Sequence, residues 1–199
     1  MDSVGKFLKK LWKEAGSRKS LANAARFACI FLACFLVFAY AVIPATAGFW
    51  GFMGGAHAQA ASWLLSSVFG IPSSVSGNVV SMVVGESEVD FAVTQLCSGD
   101  IEVALLASLL LASIDVLLIW RVLGALLGAG LLLLLNPFRI AVTLWVTKSS
   151  GMDAGDAYHS LIFRLFLFVI LVLYYFAWYR AFAARGSTAQ ERICKHLGL

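Results

Sequence analysis

Charge is scarce in this chain. Asp, Glu, Lys and Arg make up 13% of its 199 residues, against about 25% in an ordinary soluble domain. Basic charge is scarcer still across one long stretch, because after Arg26 no Lys or Arg occurs until Arg121. A chain so poor in charge does not read as a soluble domain. The four cysteines, Cys29, Cys34, Cys97 and Cys194, have no metal-ligand spacing and imply no pairing among themselves. No metal and no cofactor is expected. The formal net charge of +4 does not point to nucleic acid, since the basic residues gather at the ends of apolar runs rather than on one soluble face. A second folded domain of ordinary size has no room.

Apolar residues take the place of the missing charge: 61% of the chain is hydrophobic, with a mean hydropathy of +0.88. This composition indicates an all-α, multi-pass membrane protein. Lys6, Lys9, Lys10, Lys13, Arg18, Lys19 and Arg26 precede the first apolar run, and Arg180, Arg185, Arg192 and Lys195 follow the last. By the positive-inside rule both ends are cytoplasmic and the stretch from Gly48 to Leu96 is external. An even number of crossings follows.

Four spans satisfy that parity. The first runs from Leu21 to Ile43, where Pro44 ends it. The apolar stretch Ile101 to Leu135 is about 52 Å long as a single helix, too long for a core about 30 Å thick. It must therefore fold back near Asp115 to Arg121, giving helices over Cys97–Leu118 and Arg121–Val146. The fourth span, Tyr158 to Tyr179, ends in the interfacial aromatics Tyr174, Tyr175, Trp178 and Tyr179. The Gly- and Ala-rich segment 49–69, which holds His57, reads as an interfacial or shallow helix. A cleavage site at Ala45-Thr46-Ala47 is the competing reading of the N-terminus. The long basic region and the lack of a following soluble domain weigh against it. The domain plan is a basic cytoplasmic segment (1–20), one transmembrane domain (21–182) and a cytoplasmic tail (183–199).

Just before Cys97 the pattern changes. Val79 to Val84, the turn Gly85-Glu86-Ser87-Glu88, and alternating Val89, Phe91 and Val93 predict a small external β-hairpin. It delivers the chain to Cys97-Ser98-Gly99 at a strand-to-helix junction, where a helix N-terminus favours the thiolate. Counting rise per residue, Arg121 to Arg139 climbs about 27 Å and Arg180 back to His159 about 31 Å. Cys97, Arg139 and His159 thus reach the same outer rim of the membrane. Asp100, three positions after Cys97, shares its helical face and opposes thiol activation unless an arginine offsets it or it faces water; recognition of a substrate amine is a third option.

The hairpin, Cys97-Ser98-Gly99, then Asn136-Pro137-Phe138-Arg139 closing a Leu-rich helix, then His159 opening the last helix, resemble the exosortase/archaeosortase family in its short, minimal form. The resemblance covers Ile71 to Tyr179. It implies a membrane cysteine transpeptidase with Cys97 as nucleophile, Arg139 as cationic partner and His159 as the third catalytic residue, acting through a thioester. Ser98, Asp100, Asn136 and Arg164 are the substrate-binding candidates beside them. The implied partners are exported proteins whose C-terminal tail carries a short motif, one transmembrane helix and a basic cluster. Transfer to a lipid or glycan acceptor at the outer face of the plasma membrane is expected. The alternative is a non-enzymatic bundle, a transporter subunit or assembly scaffold. Polar residues of transporters lie near midplane, whereas these lie at one rim.

Overall fold

The computed structural model describes residues 18–94, 97–159 and 163–197, with side chains over 21–94, 97–159 and 165–182. It is mostly helical and carries one small sheet. Helix α1 (Arg18–Val37) runs on through a wider π turn, Phe38–Val42, into a single turn Ile43–Ala45. Pro44 has no N–H to return to Tyr40, so the ladder locally skips to longer bonds, the Ile43 amide reaching the Phe38 carbonyl. The helix therefore passes through Pro44 to Ala45 rather than ending before it. The break comes at Thr46, whose hydroxyl bonds back to the Val42 carbonyl at 2.7 Å and takes the Trp50 indole N–H at 3.1 Å.

Helix α2 (Ala47–Ser67) occupies the segment expected to be interfacial. Strands β1 (Ser73–Ser76), β2 (Val79–Val84) and β3 (Ser87–Ala92) follow in an antiparallel meander of order β1-β2-β3. The expected hairpin is β2 and β3. The strand β1 is an addition, too short and Ser-rich to register as a strand by alternation. Gly85 turns the hairpin at φ +65°, a conformation that disfavours a side chain.

Helix α3 (Asp100–Ala112) and helix α4 (Leu118–Ser150) form the predicted fold-back, joined by the turn 113–117. They are antiparallel, since Cys97 meets Asn136 near one end while Leu106 meets Gly128 further along. Arg121 secures the turn by donating to the carbonyls of Val116 (2.6 Å), Leu111 (3.1 Å) and Ile114 (3.2 Å). A short helix α5 (Met152–Ala157) reverses the chain, and helix α6 (Phe163–Leu197) returns antiparallel to α4. Tyr174 donates to Gly124 O and Trp178 to Trp120 O. The helix α6 continues to Leu197, through the segment expected to be a separate tail.

Of the four expected spans, three are full length among the described residues. Three helical stretches, Leu21–Ala45, Leu118–Ser150 and Leu165–Phe182, are long and apolar enough to cross a membrane. The second predicted span begins three residues late and ends at Ala112, because the Ser113–Leu117 turn uses residues assigned to it. Its 13 residues extend about 20 Å, short of the hydrocarbon thickness. The chain is a multi-pass membrane protein, with fewer full-length crossing helices among the described residues than its charge pattern suggests.

Two buried clusters lie at opposite ends of α4. One joins α2 and the sheet to α4 through Ala58, Leu65, Val80, Met82, Ile140 and Leu144. The other joins α3, α4 and α6 through Leu106, Leu110, Leu132, Leu167, Leu171 and Trp178. Gly124 and Gly128 let α4 approach its neighbours, since a Cβ at either would overlap Trp178, or Leu106 and Tyr174. Leu126, Leu127, Leu134, Leu165, Phe168 and Leu173 face outward, each more than 60% exposed, the apolar exterior that lipid requires.

Candidate active site

The sheet sets the site. Val93 leaves β3 with its N–H on the Asn78 carbonyl at 2.8 Å, and the chain reaches a tight turn at Cys97. Gly99 follows at φ +86°, the left-handed conformation that closes this turn and starts α3. The Cys-Ser-Gly order thus has a local reason: the sulfur is offered on the turn and glycine permits the reversal behind it.

Cys97 Sγ lies 3.8 Å from His159 Nε2, and the Thr94 hydroxyl donates to the same sulfur at 3.6 Å. His159 sits on a helical turn directly after α5, ahead of the described start of the last long helix at Phe163. The hydrogen bond with His159 is the main reason the Cys97 thiol falls from its ordinary 9.0 to about 7. Burial opposes the shift, while Thr94 and the charge on His159 assist it. Asp100 is not among the causes. Its carboxylate is buried and turned onto the neighbouring Ile101 N–H at 2.7 Å, so the acid spends its charge on the start of α3.

Asn136 holds the other side of the turn. Its amide nitrogen donates to the Cys97 carbonyl at 2.5 Å and stands 3.0 Å from His57 Nδ1. Both of its N–H groups are thereby used. His57 is 2% exposed, so the histidine expected at an interface is a buried support of the site. One turn further along α4, Arg139 pairs with Glu102 at 3.6 Å, both largely buried. Its Nε and Nη1 make no hydrogen bond. The geometry therefore brings Cys97, His159 and Asn136 together directly and links Arg139 to α3 through Glu102. Ser98 is fully buried, and the side chain of Arg164 lies outside the described residues.

No spacing rule pointed to His57. The signal that existed was Pro137, which cannot return a hydrogen bond to the Leu133 carbonyl. That carbonyl lies beside the His57 ring, without closing a full hydrogen bond on Nε2. A proline inside a buried helix signals a backbone acceptor open to another helix's side chain.

Cys97 and His159 open into a pocket of about 310 Å³. One wall is the α4 stripe Ile140, Thr143, Leu144 and Thr147, spaced as one helical face. The opposite wall is the end of β3. Gly155 fits against Thr147 only because it lacks a Cβ. A shielded thiol, a titratable imidazole beside it and a cavity in front suit nucleophilic attack on a carbonyl.

The family model described as transmembrane exosortase matches residues 17–177. The chain belongs to this family. Its members are membrane cysteine peptidases or transpeptidases, in keeping with the resemblance carried by Cys97-Ser98-Gly99, Asn136 to Arg139 and His159. Neither the curated proteins nor the solved structures contain a significant match.

Proposed function

We propose that this exosortase is a cysteine transpeptidase that removes the C-terminal sorting tails of exported proteins at the outer face of the plasma membrane. The observation that carries the reading is the Cys97–His159 contact at the mouth of the pocket. Cys97 attacks the carbonyl that precedes the tail's transmembrane helix after His159 has taken the thiol proton. The C–N bond then breaks, His159 returns the proton to the leaving amine, and the protein remains on Cys97 as a thioester. An amine or hydroxyl of a lipid or glycan acceptor attacks the thioester, gives up its proton and regenerates the thiol.

Arg139 supplies the fixed positive charge. Its unfilled N–H donors stand in a buried setting where they are worth more than in water. Asn136 positions the nucleophile through the backbone. The topology in this reading has both termini cytoplasmic and α3 completing a fourth, shorter crossing.

The test is Cys97→Ala in cells that carry a tagged substrate. Tail removal is lost while the variant stays in the membrane, and the substrate migrates at its full-length position. Unchanged processing would reject the catalytic role and leave the non-enzymatic bundle. Mass spectrometry of the product's new C-terminus separates transfer from hydrolysis and names the acceptor.

A further inference from the structure

The strand β3 is an edge strand, bonded to β2 on one side only. Which of its backbone groups remain open follows from the register. Val93 gives its N–H to Asn78 O, so the hydrogen-bonded pairs recur every second residue from there: Phe91 with Val80, and Val89 with Met82. The residues between them, Asp90 and Ala92, turn their N–H and C=O groups away from β2. The same phase sends the Val83 carbonyl outward on the far side of β2, where Lys148 Nζ takes it at 2.7 Å. That edge is capped by a lysine. The β3 edge has no such cap among the described residues, and Asp90, Phe91, Ala92 and Val93 line the same pocket as Cys97 and His159.

We propose that the free edge of β3 binds the substrate, an extended peptide segment just ahead of the scissile bond adding to the sheet as a fourth strand. The inference rests on the transpeptidase reading and deepens it by naming how the recognition segment is held. Backbone pairing with Asp90 and Ala92 fixes the segment's depth and delivers its next carbonyl to the thiol five residues beyond Ala92 in the chain. Main-chain bonds supply affinity and alternate side chains supply selection, as in other strand additions. Phe91, Ile140, Leu144 and Met152 offer an apolar seat. The acids on the lining are Asp90 and Asp156, with no Lys or Arg among the lining residues. A segment with apolar and basic or amide side chains fits this pocket; an acidic side chain meets repulsion there.

The experiment uses the full-length protein in detergent micelles and reads alkylation of Cys97 by peptide mass spectrometry. The probes are acetyl-tetrapeptide chloromethyl ketones made as positional mixtures, unmodified or N-methylated at one residue. N-methylation at alternate residues should slow alkylation about tenfold, the worth of one or two backbone hydrogen bonds, and at the intervening residues leave it unchanged. Lys should outpace Glu severalfold at the position facing the acids, and Asp156→Asn should narrow that gap. Uniform or absent sensitivity to N-methylation overturns the strand pairing. So does faster alkylation by an N-decyl chloroacetamide than by any peptide, which would give the pocket to an acyl chain. Tail removal in cells judges the transpeptidase reading separately. Processing without alternation sinks the strand pairing alone, and alternation without processing sinks the transpeptidase reading alone.

Discussion

The carboxamide of Asn136 holds the main chain of Cys97, its nitrogen 2.5 Å from the Cys97 carbonyl oxygen, while the sulfur meets His159 and the Thr94 hydroxyl. Backbone and side chain of the nucleophile are thus anchored by different helical segments, α4 for one and the turn after α5 for the other. A small relative movement of these segments changes the S···N contact without disturbing the turn itself.

Replacing Asn136 should separate positioning from chemistry. Asn136→Ala leaves the Cys97 carbonyl without its donor, a cost of about 1–3 kcal/mol for a buried group, and should lower both thermal stability and turnover. Asn136→Asp should be worse, since an ionised carboxylate sets an acceptor against the Cys97 carbonyl. Melting temperature in detergent and substrate processing measure the two effects. Equal stability of Asn136→Asp and wild type would show that the contact carries no weight.

The thiol of Cys97 falls from 9.0 to about 7, and the sign of the resulting pH dependence is fixed. The thiolate accumulates as pH rises through the lowered value, so iodoacetamide alkylation of Cys97 should reach half its maximum near pH 7. An unshifted thiol would be about fiftyfold less ionised there. Removing the imidazole in His159→Gln removes the main cause of the shift and should move the midpoint upward toward 9.0. Peptide mass spectrometry distinguishes Cys97 from Cys29, Cys34 and Cys194, and an unmoved midpoint would break the proposed pair.

For Arg139→Lys a severe loss of processing is expected. An ammonium lacks the planar fork and the spare N–H donors of the guanidinium, though it can still pair with Glu102. Normal turnover in this variant would leave Arg139 as a structural anchor of α3 on α4.

Close helix contact is tested at Gly124. A Cβ there overlaps the Trp178 ring, whose N–H is bonded to the Trp120 carbonyl at 3.2 Å, so the ring cannot swing aside freely. Gly124→Ala should destabilise the α4–α6 contact by about 1–3 kcal/mol, the usual cost of overpacking. A lower melting temperature in detergent would report it; an unchanged one would mean that the helices slide apart without loss.

Much of the architecture was legible in the chain. The gap in Lys and Arg between Arg26 and Arg121 marked a membrane protein, and the length of the apolar stretch Ile101 to Leu135 required the fold-back that occurs at 113–117. The alternation of Val89, Phe91 and Val93 marked β3. The end of the second span was not legible, because periodicity does not reveal how many apolar residues a turn consumes. Ser113 to Leu117 are apolar enough to read as helix, yet Arg121 draws their carbonyls into a turn.

By itself the sequence determined the lipid-facing character, the β2–β3 hairpin, the fold-back and the residue types fit for thiol chemistry, since these follow from composition and from local periodicity. The tertiary structure alone decided which groups meet. It put His57 behind Asn136, gave Arg139 to Glu102, turned Asp100 to the start of its own helix and left one edge of the sheet open beside the sulfur. Such pairings depend on the relative rotation and depth of packed elements, and a shift of one residue in register, invisible in the order of the letters, would exchange one partner for another.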